Sequence, residues 1–313
     1  MQDTHSLKMM GTVIDIMIES EKPNQHIEKV IQLLNVYKNR FSANDDDSEL
    51  AQINQYAGVQ PVTVHPDLFE LVAIGKKNSI EKPSNLNIAI GPLVQSWRIG
   101  FDDATVPDSS QIKEALKLSN PAEIILDSAN QAVFLSQKGM KIDLGALAKG
   151  YIADKVIAYL KSEKVQSAMI NLGGNVLITG DNPKRDNGIW NIGIQHPQKK
   201  RGENIGILKI SDKSVVTSGI YERHLKVGNK DYHHIFDQKT GYPIETDLAS
   251  LTIVSKHSLD CEIWTSRLFG LPLVDIIMTI NATPYIEGIL ITRDKRIAVT
   301  DGLKKDFKLL YRS

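Results

Sequence analysis

The chain predicts an α+β fold of largely antiparallel sheets with flanking helices. Three observations support this. Short stretches of strand character outnumber stretches with helical spacing. Most of them are joined by short polar turns, which suit antiparallel neighbours and not the long crossovers of a parallel sheet. No Pro/Gly/Ser-rich linker, low-complexity tract or clear repeat divides the chain. Residues 1–313 therefore read as a single domain, with two interleaved lobes as the other arrangement.

The elements follow in order. Residues 12–19, TVIDIMIE, read as a strand. Behind Pro23, the residues Ile27, Val30, Ile31, Leu34 and Phe41 recur at helical spacing and predict an amphipathic helix. A second helix is expected in PDLFELVAIGKKN, residues 66–78. Residues 123–143 read as a strand meander, with a polar turn at Ser128-Ala129-Asn130 and another near Gly139. Next comes a helix whose apolar face runs through Ile152, Val156, Ile157 and Leu160. Short strands are expected at 167–173, 175–180, 190–195, 206–211, 232–237 and 251–256. A helix from about Leu259 to Leu271, a shorter one at 273–279, and strands at 288–293 and 296–300 complete the pattern.

Bulk composition excludes several classes of function. Apolar content of 42% with 24% charged residues is ordinary for a globular protein. Lys+Arg and Asp+Glu balance at 37 each, so no net field recruits nucleic acid or a membrane surface. The one cysteine, Cys261, excludes an internal disulfide framework and fits a reducing compartment. No apolar run approaches the roughly 20 residues of a membrane span. The N-terminal MQDTHSLKMM lacks a signal-peptide core and a lipidation cysteine. The chain as written reads as cytoplasmic, and a removed leader would make it membrane-attached or extracytoplasmic.

One cysteine and eight scattered histidines match no zinc ladder. No P-loop and no GxGxxG after a strand occur. What does occur is a set of glycine-bearing turns: Met10-Gly11-Thr12, IGPL at 90–93, DLGALAKG at 143–150, NLGGN at 171–175 and TSG at 217–219. Singly each is weak, since Gly173-Gly174 alone reads as a hairpin turn before a ligand cradle. Together their backbone amides could hold a phosphorylated ligand. The 143–150 stretch poses the sharper question, because glycine is costly inside a helix. Either small residues there let a helix pack closely on a sheet, or a ligand approaches the backbone.

The series MGT, FSANDDDSELAQIN, GPLVQSW, IDLGALAKGYIAD, INLGGN, TSGIYER, YHHIFDQKTGYP and EIWTSRLFGL resembles the FAD:protein FMN transferase family, ApbE. The motifs run in the family's order from about residue 9 to residue 271. The resemblance implies an α+β fold, FAD as substrate, Mg²⁺ as metal, and transfer of FMN to a Thr/Ser hydroxyl of an acceptor flavoprotein with release of AMP. Two alternatives share the motifs: an FAD pyrophosphatase giving FMN and AMP, and a flavin carrier without chemistry.

Site residues carry over by motif. The Ala146 carbonyl would sit on the metal, with Gly145 and Gly150 as close-approach positions. Lys149 would stand near the phosphates. Asp143 either holds that lysine or a donor of FAD, or caps the following helix. His234 and Asp237 match the strand beside the reactive phosphate. Because strand residues alternate in facing, His234 and not His233 is the candidate base or positioner. Met10, Asn44, Asn171, Gly173, Gly174, Thr217, Ser218 and Gly219 are carried over as FAD-lining positions.

Two positions depart from the family pattern. The family places an aspartate four residues before the metal-binding threonine, and here Cys261 stands four before Thr265. A thiol suits hard Mg²⁺ poorly. Of the flanking carboxylates, Glu262 shares a helix face with Thr265, whereas Asp260 is rotated off it in a regular helix. Asn44 stands where many members carry an aromatic ring that stacks on the flavin. Trp97 reads as core before ligand contact, and Asp45-Asp46-Asp47 as a solvated loop ahead of a helix capped by Ser48.

Overall fold

The structure is a computed structural model and describes residues 1–310. Its largest sheet has eight strands, in the order β1 (Gln2–Met9), β2 (Thr12–Glu19), β6 (Ser167–Leu172), β7 (Asn175–Thr179), β10 (Ser214–Gly219), β13 (Leu248–Ser255), β14 (Ile286–Thr292) and β15 (Ile297–Val299). Every neighbouring pair in it is antiparallel. One small sheet holds β3 (Val62–Thr63), β5 (Ala132–Leu135) and β4 (Ile124–Asp127). Another holds β16 (Phe307–Leu309), β9 (Asn204–Ile210) and β8 (Trp190–Gln195). A separate hairpin pairs β11 (His224–Val227) with β12 (Lys230–His233).

The helices are α1 (Pro23–Phe41), α2 (Glu49–Gln55), α3 (Pro66–Ile80), α4 (Gly91–Trp97), α5 (Ser109–Lys117), α6 (Ala148–Ser162), α7 (Ser258–Leu268) and α8 (Leu273–Asn281). Proline opens α1, where its missing N–H has no intrahelical role, and the buried stripe Ile27, Val30, Leu34, Tyr37 and Phe41 fixes the helix's facing. That stripe meets Ile14, Ile16 and Ile18 of β2, Ile170 and Leu172 of β6, and Ile152, Val156 and Leu160 of α6. Full burial of such a side chain contributes about 1.5–3 kcal/mol, so this cluster helps anchor α6. All eight residues of β13 are buried. Leu251 and Ile253 pack with α7 and α8, while Val254 packs with β8 and β9, so the strand is covered on both faces.

Several expectations are corrected. Residues 217–219 lie inside β10 and not in a turn, because Val215-Val216-Thr217 forms a β-branched run that pairs with β13. Residues 90–93 are no free turn, since Gly91 and Pro92 open α4. The meander stops at Leu135, and Ile142 instead exchanges both main-chain hydrogen bonds with the Asn54 amide, at 2.7 and 3.0 Å. Strand 232–237 ends at His233, because Asp237 accepts the Lys239 and Gly241 N–H groups and turns the chain. Helix α7 ends at Leu268, before Gly270 at φ +90° and Pro272.

Candidate active site

Three strand ends meet at one end of the large sheet. Met10 and Gly11 (φ 52° and 69°) join Met9 to Thr12, and Gly173 and Gly174 (φ 68° and 101°) join Leu172 to Asn175. Two-residue loops with both φ positive are type I′ hairpins, whose twist matches the strands they join. The pairings Ile14↔Leu172 and Asn175↔Val216 bring both tips to the sheet end where Thr217, Ser218 and Gly219 lie. A Cβ on Gly173 would stand 2.2 Å from the Thr12 hydroxyl, so the two hairpins touch only because that residue is glycine. Asn171 accepts the Gly174 N–H at 2.8 Å and donates to Asp15 at 3.1 Å, which fixes the second tip. The Thr217 hydroxyl is engaged with Thr252 at 2.8 Å.

The stretch 143–150 leads into α6, and here the close-packing reading holds for Gly150. A Cβ on Gly150 would meet Glu262 Cγ at 2.7 Å and the Ser258 carbonyl at 2.7 Å, both on α7. The two helices are locked further by Asp154, whose carboxylate accepts the Ser258 and Leu259 N–H groups at 2.8 and 2.9 Å. Burial pushes the Asp154 carboxyl up, and those two N–H bonds oppose the shift. Glu262 is 4% exposed and aims its carboxylate at this junction. Its Oε1 accepts from Asn175 at 2.9 Å, Asn175 accepts from the Ser258 hydroxyl at 2.7 Å, and the Lys149 ammonium lies 3.6 Å away. Lys149 also reaches the Gly145 carbonyl at 3.5 Å.

Other candidates on α7 separate from Glu262. Asp260 is half-buried near Ser255 and His257, and burial raises its carboxyl despite their opposing influence. Cys261 is fully buried in the α7–α8 core, with its thiol 3.7 Å from the Ser214 carbonyl and pushed well up by burial. It takes no part in the junction. Thr265 is fully buried and donates to the Glu262 carbonyl at 3.1 Å. Sequence reasoning passed over Ser266. It is half-buried and stands four residues after Glu262, hence one turn along the same face. It also passed over Asn175, although that residue closes the NLGGN motif. Among the described residues, no three His, Cys, Asp or Glu side chains converge as a cation cage.

Asp143 does not cap α6. The N-cap is Leu147, which offers no side-chain bond, and the exposed Ala146 lies just before it. Asp143 instead accepts the Gly145 N–H at 2.7 Å and so shapes the preceding turn. Burial raises its carboxyl, while that N–H, Arg223 and Lys149 act to lower it. Arg223 and Lys149 also act on His234, whose pKa burial depresses to about 3, so the ring is neutral. Asp143, Lys149, Arg223 and His234 are therefore electrostatic neighbours.

The two adjacent histidines differ. His233 is buried with Nε2 bonded to the Ile244 carbonyl at 3.0 Å and Nδ1 accepting the Ile235 N–H at 3.3 Å. His234 keeps its Nδ1 enclosed without a partner. The Asp237 carboxylate is spent on its own turn. Trp97 is core, fully buried and bonded to the Gly241 carbonyl at 3.0 Å. Asn44 is exposed and accepts from Gln95 at 3.3 Å, and the acidic run beside it leads to the Ser48 cap of α2.

A Klebsiella pneumoniae (strain 342) protein named FAD:protein FMN transferase is 40% identical over 98% of this chain and 94% of its own length. A Treponema pallidum (strain Nichols) protein of the same name is 33% identical over 96% of this chain and 88% of its own length. Among solved structures, the Thermotoga maritima ApbE protein superposes with a TM-score of 0.88, at 24% identity and covering 98% of this chain and 99% of its own. The Vibrio cholerae flavin transferase ApbE gives 0.83, at 24% identity with the same coverage. At that identity the two structures speak for the fold alone, and they agree with the antiparallel α+β architecture. With the ApbE family model matching residues 10–290 and two relatives above 30% identity across nearly the whole chain, the protein belongs to the ApbE family.

Proposed function

We propose that this protein moves FMN from FAD onto a threonine or serine hydroxyl of an acceptor flavoprotein and releases AMP. The observation that carries the reading is the meeting of Lys149, Glu262, Asp143 and His234 beside glycine hairpin tips. It occurs in a chain 40% identical to a protein named for that reaction. The acceptor oxygen attacks the flavin-side phosphorus, the bond to the AMP oxygen breaks, and the hydroxyl proton leaves to a base. His234 offers an unpartnered Nδ1 for that proton. Its ring is a weak base in the free protein, and a bound anion close by raises its affinity for a proton. Lys149 offsets charge on the phosphates, and Asp143 holds the turn that aims Lys149.

The α7 donors suit Mg²⁺, because all of them are oxygen: the Glu262 carboxylate and the Thr265 and Ser266 hydroxyls, to which the family motif would add the Ala146 carbonyl. Bound there, the cation would supply Lewis-acid polarisation of the diphosphate. Asp260 is the weaker candidate, since its neighbours are Ser255 and His257. Met10, Asn171, Gly173, Gly174, Thr217, Ser218 and Gly219 would line the FAD through backbone amides and hydroxyls.

Hydrolysis is the second reading, favoured by Asn44, an exposed amide bonded to Gln95 that would leave a bound flavin's face open to water. One experiment separates the readings. The protein is incubated with FAD and Mg²⁺, with and without a purified acceptor domain, and AMP and covalently bound flavin are both measured. Covalent flavin supports transfer, AMP alone supports hydrolysis, and neither product supports a carrier.

A further inference from the structure

Arg223 lies in the turn between β10 and β11 and is exposed. Its aliphatic stem is seated on Gly100, where a Cβ would come within 2.8 Å of the arginine Cδ. Gly100 is itself held at φ +95°, a conformation that favours glycine, so the seat is specific to that residue. From there the guanidinium reaches the first hairpin tip, with Nη2 4.0 Å from where a Cβ on Gly11 would stand. Among the described residues no carboxylate pairs with it within 4 Å, and Asp143 feels its charge only from beyond that distance. The adjacent Glu222 goes instead to Arg201, at 4.0 Å. Beside this cation stands the enclosed, unpartnered Nδ1 of His234. An arginine fork without a protein acceptor, facing a glycine turn, matches a ligand with phosphate oxygens.

We infer that Arg223 is a phosphate-binding residue that clamps the diphosphate of FAD between the Met10-Gly11 hairpin and the Gly100 turn. The inference rests on the proposed reading, and it adds which side chain grips the diphosphate. Arg201 faces the second tip at a similar distance, 4.0 Å from a Cβ on Gly174, but it is strongly exposed and already paired. It therefore serves as the control.

The test is calorimetric titration of the wild type, Arg223→Gln, Arg223→Lys and Arg201→Gln with FAD, ADP and riboflavin, at two salt concentrations. Charge-assisted hydrogen bonds of this kind predict about a tenfold or greater loss of FAD and ADP affinity for Arg223→Gln. A smaller loss is expected for Arg223→Lys, and unchanged riboflavin binding for both. Arg201→Gln should change FAD affinity by less than about twofold, as for an exposed pair. The wild-type affinity for FAD should fall with salt more steeply than that of Arg223→Gln. Equal FAD affinity in wild type and Arg223→Gln overturns the inference, as does an equal loss for riboflavin. A wild type that binds neither FAD nor ADP sinks the proposed function itself, a result visible before any variant is compared. Matching melting temperatures show that the exposed substitutions leave the fold intact.

Discussion

The α6–α7 junction and the segment 221–250 flank the same site and are built on opposite principles. At the junction the buried polar groups answer one another: Asp154 holds two N–H groups, and Ser258, Asn175 and Glu262 form a continuous relay. In the segment, His234 Nδ1 and Gln238 Nε2 are enclosed with no partner, and the enclosed Tyr221 hydroxyl and Ser250 Oγ have only each other. Leaving a buried polar group unpaired costs about 1–3 kcal/mol each. A framework complete in itself therefore stands against a wall whose polar atoms are left over for something bound. Burial also pushes the Tyr221 phenol up to about 12, so it stays protonated and able to donate.

The largest effects should come from breaking the junction. Glu262→Gln keeps the shape and the Asn175 contact but removes the charge, and we expect AMP release to fall by about 10²–10³-fold, in line with loss of one preorganised electrostatic group. Single-turnover AMP measurement decides it, and near-normal release would shift the metal to Asp260. Thr265→Val and Ser266→Ala then tell which hydroxyl matters. Loss of Mg²⁺ affinity by calorimetry in only one of them names the ligand.

Cys261→Asp sharpens the same contrast. It introduces at 261 the residue type that the resemblance implies four residues before Thr265. The side chain nevertheless faces the core beside Ser214, away from Lys149. An unpaired buried charge should destabilise the fold by about 3–5 kcal/mol, read from denaturant midpoints. An unchanged midpoint with tighter Mg²⁺ binding would show that position 261 can turn toward the site. Gly150→Ala is smaller, about 1–3 kcal/mol, since its Cβ must displace the Ser258 carbonyl and the Leu259 Cα, both backbone and neither free to swing aside.

Local periodicity made much of this fold legible. The strand at 12–19 has the expected bounds, and the helix behind Pro23 buries Ile27, Val30, Leu34 and Phe41 as expected, with Tyr37 in the stripe and Ile31 only half-buried. Hidden elements lacked such a signal. β1, QDTHSLKM, is a polar edge strand that exists through its ladder with β2. α5 carried only an Asp108–Gln111 capping box. Residues 217–219 misled because glycine after serine suggests a turn, while the preceding β-branched run continues the strand. At the site, the motif glycines were visible, but the partnership of Lys149 with Glu262 was not. It depends on Gly150 letting two helices touch, which only the packing reveals.

On the open side of the comparison the expected effects are gentler. The His234 pKa lies at about 3, below its ordinary 6.5, so the folded state binds fewer protons than the unfolded chain between those values. Stability from this ring is present above about pH 6.5 and is lost as pH falls toward 3. His234→Gln should therefore flatten the acid side of the stability–pH curve. The wild-type kcat/KM profile should show no inflection from this ring near pH 6.5, because that ratio reports the free protein. Parallel stability curves for the two proteins would show that the ring titrates normally.

The smallest expected effect lies at Asn44. Transfer and hydrolysis share one electrophile and differ in which oxygen arrives in line with the leaving AMP. A protein hydroxyl prevails when its peptide is docked and water is kept out. Asn44 is exposed, hydrogen-bonded to Gln95 and polar, so it holds water well and covers little. An aromatic ring there adds a stacking surface of about 0.5–1.5 kcal/mol and displaces that water. The predicted result for Asn44→Tyr is a fall of about 2–10-fold in acceptor-free AMP release, the range that energy implies. Covalent flavinylation should be unchanged or improved. AMP measured with and without acceptor, in both proteins, is the deciding pair. If both activities fall together in the variant, the ring blocks the site, and Asn44 does not govern the partition between water and protein.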